Sequence, residues 1–270
     1  MLDPRLGALT DAVRSTGPVV VAFSGGADSA LLAWAAHDAL GPEQCTVVTA
    51  VSPSLATAEL DDCRRLAEEW GLSWQSIETA ELSDPRYVAN EGDRCFWCKT
   101  ALLDVLEPVA AATGATVVLG VNVDDLGDHR PGQDAAAARG ARFPLVEAGL
   151  AKADVRELSR ALGLRTADKP AAACLASRVP YGTPVTLGVL REVEAAEAGL
   201  RALGFDELRV RHYRDLARIE VPIAHLEAVL RRREEVVAAV RSAGYRYVTV
   251  DLEGLRSGNL NLALGDASAT

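Results

Sequence analysis

Two groups of residues in this chain have the types and spacing for chemistry. The first is Ser24-Gly25-Gly26-Ala27-Asp28-Ser29, which follows the apolar run VVVAF and leads into ALLAW. Paired glycines let backbone approach an anion. Hydroxyls and the amides at a helix start can hold phosphate oxygens, and Asp28 can carry the accompanying magnesium ion. The segment is neither the G-x-x-x-x-G-K-[ST] of a Walker loop nor the G-x-G-x-x-G of a dinucleotide site. A plain strand–turn–helix junction capped by Ser or Asp is the bland alternative, and the six-residue match in this context weighs against it. The second group is the thiols Cys45, Cys63, Cys95, Cys98 and Cys174. An odd count in an apparently intracellular chain favours thiol or metal chemistry over a disulfide framework. Cys95-x-x-Cys98 is compatible with zinc, a redox pair or an iron–sulfur site. Cys174 stands beside Ser177 and Arg178, and a neighbouring cation favours thiolate; a small buried apolar residue is the alternative.

These residues need a scaffold to bring them together. Through the first 165 or so residues, short apolar runs alternate with helical patterns, which predicts a parallel sheet with helices on its faces. The expected strands are 18–23, 45–51, 73–79 and 116–121, and the expected helices are 28–40, 55–70, 97–112 and 152–162. Ligand sites of such sheets collect beyond the carboxyl ends of the strands. There lie Gly120, Asn122, Asp125 and Arg130, placed for ribose, metal or carboxylate contacts. Arg130 suits either an anionic substrate or a surface ion pair. Three prolines within Ala167–Pro184 mark a junction, so the chain is expected to divide into domains 1–170 and 171–270. The second reads helix 187–203, strands 207–213 and 216–221, helix 224–243 and strand 245–251, a smaller α+β unit. On LRVRHY, Arg209 and Arg211 alternate and so share one face, where two guanidiniums make an anion site.

Composition narrows the class. The chain has 270 residues, 49% hydrophobic and 24% charged, enough for a large core without disulfide or metal staples. Its net charge is −10, and residues 176–270 are neutral, with 13 Arg against 13 acidic residues, so the excess lies in the first domain. That opposes a nucleic-acid partner, whose phosphates an acidic surface repels. No apolar run suits a membrane, and MLDPRLGALTDAV lacks the basic start and apolar stretch of a leader, so a cytoplasmic location is expected. Only three lysines occur, Lys99, Lys152 and Lys169, which singles out each of them.

The first motif resembles the SGGxDS signature of the PP-loop ATP pyrophosphatases (adenine nucleotide alpha hydrolase-like, Rossmann-like). Their loop binds ATP to adenylate an acid or carbonyl oxygen with release of pyrophosphate. Three more segments, Arg94-Cys-Phe-Trp-Cys-Lys99, Gly120-Val-Asn-Val-Asp-Asp125 with Asp128, Arg130 and Pro131, and Cys174-Leu-Ala-Ser-Arg-Val-Pro-Tyr-Gly182, are similar to the LarE sulfur transferases of nickel-pincer nucleotide assembly. The likeness runs through DLEGLRSGNLN. It implies that a pyridinium dicarboxylate mononucleotide is adenylated and converted to a thiocarboxylate, in a trimer-based homo-oligomer. It also implies that Cys174 is either a sacrificial sulfur donor or, with Cys95 and Cys98, a ligand of a 4Fe–4S cluster carrying sulfide. Lys152 resembles the family's phosphate-neutralising lysine, against a solvated helix start. Arg209, Arg211 and Glu220 match residues that hold the substrate phosphate near the reactive cysteine, against a cross-strand ion-pair ladder. Trp97 either stacks on the substrate or fills the core. An amidating ligase of the NAD synthetase kind and a tRNA-thiolating enzyme are the alternative activities.

Overall fold

The computed structural model describes residues 3–127, 131–170 and 173–256. It divides into two compact units, the first made of Met1–Glu81 with Cys95–Ala172 and the second of Leu82–Arg94 with Ala173–Thr270. The excursion of 82–94 into the second unit has no counterpart in the composition.

The first unit starts with α1 (Pro4–Thr16), whose first turn is capped by the Asp3 carboxylate accepting from the Arg5 amide. Then follow β1 (Val19–Ala22), α2 (Ala27–Leu40), β2 (Cys45–Val51), α3 (Thr57–Trp70) and β3 (Ser73–Glu78). After 82–94, which belong to the second unit and hold the short α4 (Pro85–Ala89), α5 (Arg94–Thr113) leads to β4 (Thr116–Leu119). The shorter α6 (Pro131–Ala138) and α7 (Pro144–Glu147) and then α8 (Lys152–Ala161) complete it. The four strands form one parallel sheet in the order β3-β2-β1-β4. The inner strands β1 and β2 read VVVA and CTVVTAV because a parallel sheet covered on both faces needs apolar residues on both. Edge strand β3 (SWQSIE) is polar and mostly exposed, which discourages pairing with another chain. Helix α2 is buried almost all round, at Ala27, Ala30, Leu31, Leu32, Ala33, Ala35 and Ala36, and packs against α1, α8 and β1. Small alanines allow that close approach, the structural use of a chain so poor in aromatics.

In the second unit, α9 (Leu187–Ala202) is capped by Thr186 and precedes β5 (Arg209–Tyr213) and β6 (Leu216–Glu220). The stretch expected as one helix over 224–243 is a 3₁₀ turn (Ile223–His225), α10 (Leu226–Arg231) and α11 (Arg233–Ser242). Arg232 leaves helical geometry between the last two, and its guanidinium donates to the Leu203 carbonyl at 2.5 Å and to Glu235 at 2.7 Å. Last comes β7 (Tyr247–Val250), and the sheet order is β5-β6-β7 with β5·β6 antiparallel and β6·β7 parallel. One sheet face, with Val210, Ala217 and Ile219, joins Ala196, Leu200, Val236 and Val240 in the unit's core. No helix among the described residues is long and apolar enough to cross a membrane.

Candidate active site

The order β3-β2-β1-β4 reverses direction between β1 and β4, and the two segments following those strands are the phosphate-loop candidate and Gly120–Gly127. An open parallel sheet binds ligands at such a switch point. Gly25 adopts φ +67°, and a side chain there would meet the Cys63 sulfur at 3.0 Å. The loop is braced from within. The Ser29 hydroxyl donates to the Gly26 carbonyl at 3.1 Å, accepts from the Ser24 amide at 3.2 Å and lies 3.1 Å from the Ser24 hydroxyl. No side chain caps the N-terminus of α2, so its first amides are left for an anion.

Asp28, in the first turn of α2, gathers two polar side chains. Asn122 Nδ2 donates to its Oδ1 at 3.1 Å, and the Lys152 ammonium pairs with its Oδ2. Asp125 and Asp124 shape the strand-end turn. Asp125 Oδ2 accepts from the Asn122 amide at 3.2 Å, and Asp124 accepts from the Lys152 amide at 2.8 Å. Gly120 is where this turn touches α2: a Cβ there would stand 2.7 Å from the Ser29 nitrogen and 3.0 Å from the Asp28 carbonyl carbon. Arg130 and Asp128 lie outside the described residues.

Lys169 forms a brace to which the sequence assigned no role. Its ammonium donates to the Gly25 carbonyl at 3.2 Å and to Asp62 at 2.7 Å, and pairs with Glu59 at 2.8 Å. Burial pulls its pKa down, but hydrogen bonds to the two carboxylates outweigh that and hold it above the usual lysine value. Burial pushes Asp62 up, and Lys169 and Arg165 together keep it below the ordinary 3.8. The rarity of lysine was the available signal for this residue.

None of the five cysteines is in a disulfide. Cys45 and Cys63 are core residues, with thiols pushed by burial up to about 12 and about 11. Cys95 is exposed and Cys98 partly so, three residues apart in the first turn of α5 and therefore on one side of it. Trp97, between them, meets Phe96 edge to face at 4.8 Å.

In the second unit, exposed Cys174 precedes a 3₁₀ turn (Leu175–Arg178). The Arg178 guanidinium points into the protein. It pairs with buried Glu197 at 2.8 Å and donates to the carbonyls of Ala173 at 2.7 Å and Cys174 at 3.3 Å. The neighbouring cation is thus matched by Glu197 and holds the backbone that carries the thiol. Glu197 also accepts from the Val210 amide at 3.1 Å and from Arg201 at 2.9 Å, and the sequence gave it no role.

Arg209 and Arg211 share a sheet face with Arg218 and Glu220, as the register Arg209↔Glu220 and Arg211↔Arg218 requires. Arg211 is buried, pairs with Glu220 at 2.8 Å and donates to the Ser177 carbonyl at 2.8 Å. Arg218 meets the other Glu220 oxygen at 3.0 Å. Arg209 is only partly buried, and desolvation, followed by the repulsion of Arg211 and Arg178, lowers its pKa. It is the guanidinium of the pair with surface left for an anion. Residues 257–270, which hold the end of DLEGLRSGNLN, lie outside the described residues.

Comparison with known proteins bears on this geometry. A family model described as NAD synthase matches residues 5–88, the part that contains the phosphate loop. The pyridinium-3,5-bisthiocarboxylic acid mononucleotide synthase of Lactiplantibacillus plantarum is 40% identical over 98% of this chain and 97% of its own. An uncharacterised protein of Synechocystis is 43% identical over 98% of this chain and 99% of its own. A third relative, an uncharacterised protein of Methanocaldococcus jannaschii, is 26% identical over 88% and 91%.

Proposed function

The chain belongs to the LarE family of PP-loop ATP-dependent sulfur transferases, and from that premise we propose that it converts a carboxylate of a pyridinium dicarboxylate mononucleotide to a thiocarboxylate, with Cys95, Cys98 and Cys174 as the thiols that serve sulfur delivery. The single observation that carries this reading is that the chain carries both an uncapped phosphate loop and exposed thiols, Cys95 and Cys174, at the positions of the family motif.

The first half of the reaction belongs to the loop. A substrate carboxylate oxygen attacks the α-phosphorus of ATP, the bond to pyrophosphate breaks, and an acyl-adenylate forms. Gly25, Gly26 and the start of α2 hold the phosphates, with Ser24 and Ser29 fixing the loop. Asp28 offers carboxylate oxygen, the hard donor that magnesium prefers, and Lys152 beside it neutralises phosphate charge. Gly120 and Asp125 shape the wall on which the nucleotide rests.

In the second half, sulfur attacks the acyl carbon, the carbon–oxygen bond to AMP breaks, and AMP leaves with the electron pair. Arg209 binds the substrate phosphate, while Arg211 and Glu220 fix the turn behind Cys174. Cys95, Cys98 and Cys174 offer the soft thiolate donors that iron–sulfur ligation uses, while among the described residues no group of three His, Cys, Asp or Glu side chains is placed to hold a metal ion. A 4Fe–4S cluster on Cys95, Cys98 and Cys174 would supply sulfide as the attacking sulfur. Sacrificial donation by Cys174 is the second reading, favoured by the exposure of that thiol. It predicts loss of H₂S from the residue and formation of dehydroalanine.

Iron and acid-labile sulfide measured on anaerobically purified protein separate the two. About four irons per chain, lost in Cys95→Ala, supports the cluster. Iron-free protein with Cys174 converted to dehydroalanine after turnover supports donation. Iron-free protein that turns over with Cys174 intact would overturn sulfur delivery through this site and favour an amidating ligase.

A further inference from the structure

The stretch Leu82–Arg94 is far in sequence from the Cys174 loop, yet both belong to the second unit. The Gly182 amide donates to the Asn90 carbonyl at 3.0 Å, and the Val185 amide to the Val88 carbonyl at 2.9 Å. Asn90 is wholly buried and adopts φ +56°, a left-handed conformation that non-glycine residues take only where the surroundings hold them there. Its Nδ2 donates to three carbonyls of the loop, Val179 at 3.3 Å, Pro180 at 2.8 Å and Thr183 at 2.9 Å. Two amide hydrogens serve three acceptors, so one is shared. Arg94, also buried, donates from Nη1 to Asn90 Oδ1 and, at 3.0 Å, to the Ala176 carbonyl.

These two side chains grip the backbone at 176, 179, 180 and 183, downstream of the thiol. Arg178 and Arg211 grip it at 173, 174 and 177. A loop that needed only to be stable would do as well on apolar packing, since a buried guanidinium carries a desolvation cost that apolar filling avoids. Buried, satisfied polar contacts fix one backbone conformation.

We infer that Asn90 and Arg94 are positioning residues for sulfur transfer: they set the place of Cys174 and take no part in adenylation. The inference rests on the proposed role of Cys174 and adds residues that act on it through the backbone. Asn90→Gly keeps the left-handed backbone and deletes the three donated bonds. Arg94→Lys keeps the charge and removes the guanidinium that joins Asn90 to Ala176.

The test uses the full chain in a single turnover with MgATP and the pyridinium dicarboxylate mononucleotide. It follows pyrophosphate and thiocarboxylate and, on the iron-free chain, the alkylation rate of Cys174 by iodoacetamide. In Asn90→Gly, pyrophosphate formation is expected to stay within about twofold of wild type. Thiocarboxylate formation should fall about 10²-fold, as an ångström-scale misplacement does. The Cys174 alkylation rate should change severalfold, and Arg94→Lys should show the same pattern more weakly. If thiocarboxylate and alkylation match wild type, or if both half-reactions fall together in both variants, the positioning role is overturned. A wild-type chain that forms pyrophosphate but never thiocarboxylate overturns the transfer reading itself, an outcome distinct from failure of the variants.

Discussion

Gly120→Ala tests whether the end of β4 sets the phosphate loop. The added methyl would stand 2.7 Å from the Ser29 nitrogen, 2.9 Å from its Cα and 3.0 Å from the Asp28 carbonyl carbon, all of them backbone. Non-bonded heavy atoms rest at about 3.5 Å, so α2 and the strand end must separate by about 0.8 Å. Because α2 is buried against α1, α8 and β1, it has little freedom to retreat. Overpacking of this kind costs about 2 kcal/mol, which lowers Tm by roughly 4 °C in a chain of this size. The same shift moves Asp28 and Ser29, and a displacement near 1 Å lowers the rate of a positioned reaction by about 10²-fold. The assay is pyrophosphate release against ATP concentration, with a thermal melt on the same preparation. Gly7→Ala, within α1 where a methyl meets nothing within 4 Å, is the control: it should leave pyrophosphate release unchanged and hold or slightly raise Tm, since Ala favours a helix over Gly by up to about 1 kcal/mol. Gly120→Ala with wild-type Tm and wild-type pyrophosphate release would refute the claim that this contact sets the loop.

Other outcomes follow from the same contacts. Cys174→Ala should retain acyl-adenylate formation and lose thiocarboxylate, as read by mass spectrometry of the nucleotide. Iodoacetamide at pH 8 should label Cys95 and Cys174 in the folded, iron-free chain and spare Cys45 and Cys63, whose buried thiols are raised to about 12 and about 11; peptide mapping checks this. Lys169→Met leaves Glu59 and Asp62 without their shared cation and should cost on the order of 3 kcal/mol at pH 7, measured by urea unfolding. Asp62 is held below its ordinary 3.8, so its contribution is present above that value and lost as pH falls through the lower native one. In the variant its carboxyl moves up, and acid unfolding should begin at higher pH. Glu197→Gln leaves the Arg178 guanidinium buried without its counter-charge and should destabilise the second unit by about 3 kcal/mol.

Much of the first unit was legible because a covered parallel sheet imposes a plain rule. Runs such as VVVA and CTVVTAV have few other uses, and the strand expected over 45–51 is Cys45–Val51. The helix expected from 28 starts one residue earlier at Ala27, and the helix expected from 152 starts at Lys152. The break at Arg232 was not legible, since no proline or glycine marks it and its contacts are to Leu203, remote in sequence, and to Glu235. At the candidate site, residue type singled out Asp28, Lys152 and the thiols as candidates. It did not find what holds them in place. Asn90, Glu197 and Lys169 act through backbone carbonyls and amides, and such roles depend on where the chain returns rather than on a local motif. A buried Asn in a left-handed turn leaves only a faint trace in sequence, the Asn-Glu-Gly-Asp that reads as a loop.

The most direct test of the central claim is the mass of the nucleotide product. Anaerobically purified protein is given MgATP, the pyridinium dicarboxylate mononucleotide and inorganic sulfide. The account predicts exchange of a carboxylate oxygen for sulfur, one pyrophosphate released per sulfur installed, and loss of both the exchange and its sulfur in Cys174→Ala. Pyrophosphate release with only unchanged or amidated nucleotide recovered would contradict it.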